Sequence, residues 1–345
     1  IDNVYTFPMV THFAIEPFAY IAEPTGNGIT IYSATQNPFQ LQGTIAEVLD
    51  LPLSKVRIVA PDPGGAFGGK QHAKLEPALA YFALRLRRPL RLELTLEESF
   101  QAVRRAASEI HIRSGFRSDG TLVFQDILSN YLIGAYADIA PRVVSKASYI
   151  AAGPYRNPNV RIKARAILSH TVPSTAFRGF GIPQINWAVE SQIDEAARLL
   201  EVDRVAIRRM NLPERGEDFM RNNLPVDGKW EETLNKAADA IGWKEPLPPG
   251  RGRGVAMGIK MGATTAASYS IVRMHMDGSI TVFAGTSDMG QGARTVYSQI
   301  VAEELGVPLE NVVMVMGDTA MVPFDLQTSA SRSTVYMGTA ISRAC

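Results

Sequence analysis

Five loops of this chain collect glycines, amides, hydroxyls and arginines, Arg178 among them. They are ATQNPFQ (34–40), PGGAFGGKQ (63–71), STAFRGFGIPQ (174–184), TSDMGQGART (286–295) and QTSASRST (327–334). Glycine lets backbone N–H groups approach a ligand closely, and N–H groups with hydroxyls suit a polyanionic or heteroaromatic molecule that takes many hydrogen bonds. Asp288 is the sole acid in the five loops. From Gly64 the second loop reads G-x-x-x-x-G-K, close to a nucleotide-binding P-loop. That motif needs a Ser or Thr hydroxyl after the lysine to hold Mg²⁺, and here the position is Gln71. A P-loop NTPase therefore stays a minor alternative. Each loop taken singly is equally explained as a tight turn or a solvated connection.

The elements that carry these loops can be read from periodicity. ITIYSAT alternates as a strand, and QLQGTIAEVLDL has helical spacing with Leu41, Ile45, Val48 and Leu49 on one face. KVRIVA is a second strand, the glycine loop follows it, and a helix is expected from about Ala73 to Leu86. LRLELT, EIHIRSGF and TLVFQDILSNYLIG are strand-like, the last two joined by a turn at SDGTL, where Asp-Gly supplies positive φ. Residues 183–200 give the best helix pattern of the chain, with its proline in the first turn and Trp187, Val189, Ile193, Ala196 and Leu200 as candidates for the buried side.

A segment near the end repeats the first unit. GITIYSAT corresponds to GSITVFAGT at 278–286, and IAEVLDLPLSKVRIVAPD (45–62) aligns without a gap on VAEELGVPLENVVMVMGD (301–318), with eight of eighteen positions identical. The same strand–helix–strand unit is thus used twice. The fold class is mixed α+β with a duplicated unit. Pro and Gly in EPLPPGRGRG mark a linker, so the expected lobes are 1–244 and 255–345 with 245–254 between them.

The 345 residues carry 35 basic and 34 acidic side chains, and a net charge of +1 gives no reason to expect a nucleic-acid partner. No apolar run approaches a membrane span and no secretory signal is read, so the expected compartment is the cytoplasm. Cys345 is the single cysteine, which excludes an internal disulfide and an iron–sulfur cluster held by this chain alone. The five histidines are scattered, without metal-ligand spacing.

GGAFGGK, TQNPF, AFRGFGIPQ, DMGQG and the Ser/Thr run, with THFAIEP (11–17) and VDRVAIRRMNL (202–212), together resemble the molybdopterin-binding subunits of the xanthine dehydrogenase and aldehyde oxidase family. The resemblance runs over essentially the whole chain. It implies a molybdenum hydroxylase that oxidises an electron-poor carbon, of an aldehyde or an N-heteroaromatic ring, with oxygen from water. Molybdenum would be held by the pterin, possibly in its cytosine dinucleotide form, and not by side chains. Electrons would leave to an Fe–S subunit or domain and an FAD subunit or domain, with no Fe–S or flavin in this chain. By the same resemblance Gln36 contacts the oxygen ligands of the molybdenum, and Gly65, Phe67 and Gly68 face the metal centre. Arg178 lies beside the cofactor, Gly290 and Gln291 bind the pterin and its phosphate, and Ala330, Ser331 and Ser333 form the hydroxyl-rich loop on the far side.

The departures concern the substrate. Purine-oxidising members place glutamate where this chain has Gln71. Their purine-orienting arginine falls near Lys146, one sandwiching aromatic matches Phe180, and the second falls near Met261, where no aromatic stands. Xanthine is therefore disfavoured. The family's general-base glutamate, in a G-x-G-E motif, is expected downstream of this stretch, in the remainder of the molybdopterin subunit. The chain alone is expected to lack turnover. The different-class alternative is a cofactor-binding or scaffold chain without chemistry.

Overall fold

The computed structural model describes residues 1–219, 224–260 and 267–345. In chain order β1 (Asp2–Phe7) precedes β2 (Ala19–Thr25), β3 (Gly28–Ser33), α1 (Pro38–Val48) and β4 (Val56–Val59). Then come α2 (Glu76–Leu86), β5 (Leu90–Glu93), α3 (Leu96–Ala102), β6 (Ala107–Phe116) and β7 (Leu122–Gly134). They are followed by α4 (Ala140–Tyr149), β8 (Val160–Leu168), α5 (Ile182–Leu199), α6 (Arg204–Asn211) and α7 (Trp230–Ala240). The last described elements are β9 (Ser270–Met274), β10 (Ile280–Ala284), α8 (Ala293–Leu305), β11 (Val312–Met316), a π-helical turn over Ser333–Gly338, and α9 (Thr339–Ala344). Helices and mixed sheets together make the fold α+β.

These elements form two compact units that interleave along the chain. The first comprises 1–10, 105–174 and the described part of 179–261. Its four-stranded sheet has the order β1-β6-β7-β8. The first three strands are antiparallel and β8 joins parallel to β7. The β6–β7 turn places Gly120 at φ +94, the positive φ expected of SDGTL. Ile110, Ile112, Ile127 and Tyr131 bury against Ile185, Ala188, Val189 and Ile193 of α5. Pro183 sits in the first turn of α5, as expected. Trp187 does not face inward: it is 44% exposed. It lies two residues from both Ile185 and Val189, about 200° round the helix from each. There it meets Tyr5 and Phe7 edge-on, with centroids 5.7 and 6.2 Å away. Leu200 falls just past α5 and is half-buried.

The second unit comprises 11–104, 175–178 and the described part of 262–345. It holds a four-stranded sheet, β4-β3-β2-β5, and a three-stranded sheet, β11-β10-β9. In each, an antiparallel pair (β2/β3, β9/β10) leads through a helix to a parallel partner (β3/β4, β10/β11). Leu41 and Ile45 of α1 are buried against Ile29, Ile31 and Ile58, while Leu49 is half-buried. Val48 is 60% exposed although Ile45 and Ala46 of the same turn are buried, because it lies about 200° round the helix from Ala46, at the edge of the buried face. The helix expected from Ala73 starts at Glu76, with Pro77 in its first turn.

The two sheets join where β4 and β11 end. Ala60 N–H donates to Gly317 O at 2.7 Å and Thr319 N–H to Ile58 O at 3.0 Å. Asp62 and Asp318, equivalent in the sequence repeat, each pair with an arginine of the other copy. Arg294 Nε lies 3.0 Å from Asp62, and Arg57 Nε lies 3.0 Å from Asp318.

Candidate functional site

The loops that follow β3, β4, β10 and β11 converge within the second unit. Gln36, immediately after β3, is 2% exposed. Its Oε1 accepts the Gly68 N–H at 2.9 Å and its Nε2 donates to Thr328 O at 2.9 Å. One amide thus ties the glycine loop to the hydroxyl-rich loop. The two partners also fix which end is oxygen, because only oxygen can accept from an N–H and only nitrogen can donate to a carbonyl. One lone pair and one N–H of Gln36 stay uncommitted. Its backbone is clamped by the same loops: Gln36 N–H donates to Lys70 O and Gln36 O accepts from Thr328 N–H, both at 2.9 Å.

The glycine loop is shaped by close approach. A Cβ on Gly68 would sit 2.5 Å from Ala176 O, and Gly68 has φ +107. Phe67 has φ +52 and is 40% exposed, and its carbonyl accepts the Arg178 N–H at 2.8 Å. The Gly65 Cα, at φ +97, faces the Phe67 ring. Left-handed backbone outside glycine costs about 1–3 kcal/mol per residue and gathers at functional sites. Phe67, Phe180, Ala330 and Ser331 are four of the nine non-glycine residues with positive φ among those described.

Lys70, the P-loop-like lysine, points the other way. Its side chain is 4% exposed and its Nζ donates to the Glu16 carboxylate at 2.7 Å and to Glu16 O at 3.0 Å. Glu16 also accepts the Gly64 N–H at 2.8 Å. Burial lowers the Lys70 pKa, opposed by Glu16. The lysine is neutralised within the protein, so the P-loop reading is not supported. Gln71 is buried and its Nε2 donates to Gln327 Oε1 at 2.6 Å.

On the repeat's side, Asp288 spends its carboxylate on its own loop. It accepts from Gly290 N–H at 3.0 Å, Gly292 N–H at 3.3 Å and Arg294 N–H at 3.1 Å, holding the turn that starts α8. Gln291 is exposed and bonds back to Met289 N–H at 2.7 Å and Ser287 O at 3.2 Å. Thr328 Oγ1 donates to Ser287 O at 2.8 Å, which joins this loop to the hydroxyl-rich one.

Sequence reasoning missed what holds that last loop. Arg332 and Asp325, each about 1% exposed, form an ion pair at 2.6 Å. Arg332 also donates to Gln327 O at 3.0 Å and Ser268 Oγ at 2.7 Å, and Asp325 accepts from Thr286 Oγ1 at 3.0 Å. The arginine inside the Ser/Thr run was the available signal. It frames Ala330 and Ser331, at φ +53 and +58, while Ser333 opens the π-helical turn. Ser287 Oγ, Ser329 Oγ and Arg332 Nε are buried without a protein partner. Such orphans call for a ligand rich in hydrogen-bonding groups.

Three further residues are expected on the substrate side from the sequence. Lys146, half-buried in the last turn of α4, and Phe180, half-buried at φ +51 beside the glycine that caps α5, belong to the first unit. Met261 lies outside the described residues.

The donor set fits a molybdenum pterin, which carries its own metal ligands. The loops offer buried hydroxyls and a guanidinium nitrogen without protein partners, and among the described residues no three His, Cys, Asp or Glu side chains gather as a metal site. Molybdopterin cofactor-binding domain models match residues 1–212 and 228–345. The chain is 33% identical over 368 residues to the xanthine dehydrogenase molybdenum-binding subunit of Escherichia coli, covering 100% of this chain and 48% of that protein. It is 31% identical over 252 residues to the nicotinate dehydrogenase large molybdopterin subunit of Eubacterium barkeri, covering 71% and 59%. Among solved structures, the aldehyde oxidoreductase of Desulfovibrio desulfuricans shares the fold with a TM-score of 0.91 at 24% identity, covering all of this chain and 40% of that one. The chain spans about half the length of the first curated relatives it matches. It belongs to the molybdopterin cofactor-binding domain family.

Proposed function

We propose that this chain forms part of the cofactor cradle of a molybdenum hydroxylase acting on an aldehyde or an N-heteroaromatic substrate. The observation that carries the reading is the amide of Gln36, oriented by Gly68 N–H and Thr328 O with one donor and one acceptor left over. When bound, the cofactor supplies two-electron redox chemistry and delivery of a water-derived oxygen to carbon. The chain's part is to orient it. Gln36 presents a fixed amide, Gly65, Phe67 and Gly68 bring backbone close, and Arg178, Gly290, Gln291, Ala330, Ser331 and Ser333 supply further donors and close approach. Preorganised dipoles of this kind cost no reorganisation during reaction. The stretches 1–244 and 255–345 act as its two cofactor-binding lobes, in keeping with the two matched segments.

Gln71 and its partner Gln327 make the buried edge of this region uncharged, which suits an aldehyde or a neutral N-heterocycle better than a purine that needs a carboxylate. Lys146, Phe180 and Met261 are the further substrate-side residues. The general-base glutamate comes from the remainder of the molybdopterin-binding polypeptide. Electrons pass to iron–sulfur and flavin partners. We place the assembly in the cytoplasm, and the pterin in its cytosine dinucleotide form. No described helix is long and apolar enough to cross a membrane.

The test uses the full-length protein from a cofactor-competent host. Molybdenum and released cytosine nucleotide should approach one per chain, and dye reduction should follow aldehydes or N-heterocycles over xanthine. Gln36→Glu, which sets a carboxylate against Thr328 O, should lower molybdenum content while the protein stays folded. A natively folded protein with no molybdenum and no activity on either substrate class would refute the reading.

A further inference from the structure

His12 touches both loops that shape the glycine side of the cradle. It stands half-buried in the irregular stretch before β2. Its Nε2 lies 2.7 Å from Ala176 O. A carbonyl oxygen only accepts, so Nε2 carries the hydrogen. Ala176 is 2% exposed, and removing that donor would leave a buried carbonyl unpaired. The same oxygen is the atom that a Cβ on Gly68 would meet at 2.5 Å. The imidazole also lies over the ring of Phe177, the next residue, with centroids 4.3 Å apart. From the glycine loop, Gly69 packs on the imidazole: a Cβ there would stand 3.1 Å from His12 Cγ and 3.3 Å from Cδ2.

Glu16, four residues on, grips the glycine loop alone, through Gly64 N–H and Lys70 Nζ. His12 adds the second loop. Two residues past Ala176, Arg178 N–H donates to Phe67 O at 2.8 Å, and Gly68 N–H donates to Gln36 Oε1 at 2.9 Å. A shift of Ala176 therefore passes to Gly68 by direct contact and to Gln36 through one hydrogen bond, with every link packed against the next. We propose that His12 is a positioning residue of the cradle, whose Nε2–H fixes Ala176 O and so sets where Gly68 stands and how the Gln36 amide is aimed. This rests on the hydroxylase reading above. The ring contacts with Phe177 and Gly69 hold the donor at its reach, and the donor does the positioning.

The experiment uses the full-length protein from hosts with and without cofactor synthesis. His12→Gln keeps an amide N–H near the place of Nε2, whereas His12→Phe keeps a ring against Phe177 and loses the donor. In cofactor-free protein, amide exchange in the glycine loop and at Phe177 and Arg178 should rise about ten-fold in His12→Phe and no more than about two-fold in His12→Gln, with β6 and β7 unchanged. In loaded protein, the electron paramagnetic resonance signal of pentavalent molybdenum should shift in His12→Phe and return to the parent's in His12→Gln. A histidine that serves stability alone would lower Tm and leave that signal as it was. A parent-like signal in His12→Phe, whether or not exchange rises, overturns the proposal, as does a His12→Gln protein perturbed as far as His12→Phe. If neither variant folds, Gly69→Ala decides, because it presses a methyl onto the ring with His12 in place: a shift in exchange and signal supports the proposal, and parent-like values overturn it. A parent without molybdenum defeats the hydroxylase reading instead, and the exchange result alone then decides whether His12 holds the two loops.

Discussion

Substituting Gly68 by alanine isolates the close approach that shapes the cradle. The new Cβ would lie 2.5 Å from Ala176 O, 2.8 Å from Ala176 C and 3.1 Å from Phe177 N. All three are backbone atoms, so no rotamer change relieves the overlap. Gly290 is the matched control. It has a similar φ, +99 against +107, yet nothing lies within 4 Å of its Cβ position. Strain from positive φ, about 1–3 kcal/mol, is common to both variants. Only Gly68→Ala adds overpacking, about 1–3 kcal/mol more. Urea denaturation of the two variants side by side reads the difference. With m near 2–3 kcal/mol/M, an added ~2 kcal/mol lowers the midpoint by roughly 0.7–1 M beyond that of Gly290→Ala. Midpoints for the two alanine variants that agree within about 0.2 M, on that same m-value basis, would show that the Gly68–Ala176 contact is not what holds the loop.

Two further outcomes are expected. Arg332→Met leaves Asp325 buried and uncompensated, at a cost of about 3–5 kcal/mol; adding Asp325→Leu should recover part of it in the same denaturation assay, and no recovery would place the effect outside the ion pair. Burial pushes the carboxyl of Glu76 above its ordinary value of 4.5, opposed by Lys74 N–H and Ser33 Oγ. A raised folded pKa means that the folded state binds the extra proton, so its stabilisation is full below pH 4.5 and is lost as pH rises through the folded value. Glu76→Gln should therefore gain Tm relative to the parent as pH rises from 4.5 to 8, and parallel Tm profiles would contradict a raised Glu76 pKa.

Much of this was legible because it was local. The strand at ITIYSAT and the Asp-Gly turn at 119–120 depend on neighbours a few residues away and both formed, although β3 is buried at Ile29, Thr30 and Ile31 alike and does not alternate. Trp187 and Val48 were misplaced because hydrophobicity says that a side chain is apolar and not where its helix meets the sheet. Among the candidate residues, the spacing of the glycine loop announced close backbone approach, and Gly68 delivers it. What it approaches, Ala176, stands more than a hundred residues away and left no mark in the loop itself. The same holds for Lys70, whose partner Glu16 lay in plain view within THFAIEP but could not be paired with it by spacing.

The duplication explains why loops so distant in sequence meet. Gln71 and Gln327 stand 256 positions apart, the offset at which 45–62 matches 301–318, and they are hydrogen-bonded to one another. Asp62 and Asp318 share that offset and each reaches into the other copy. The contact between the equivalent Gln71 and Gln327 is what a local two-fold axis between β4 and β11 produces, whereas the arginines that meet Asp62 and Asp318 stand at non-equivalent positions. Near such an axis, loops at equivalent crossing-points face each other without any further instruction. The loops themselves differ: Gly-rich after β4, hydroxyl-rich after β11, an amide at Gln36 where the repeat has Ser287. A symmetric ancestor would present matched loops to an asymmetric ligand. The divergence of Gln36 from Ser287, with Thr328 bonded to both, is where the scaffold became directional.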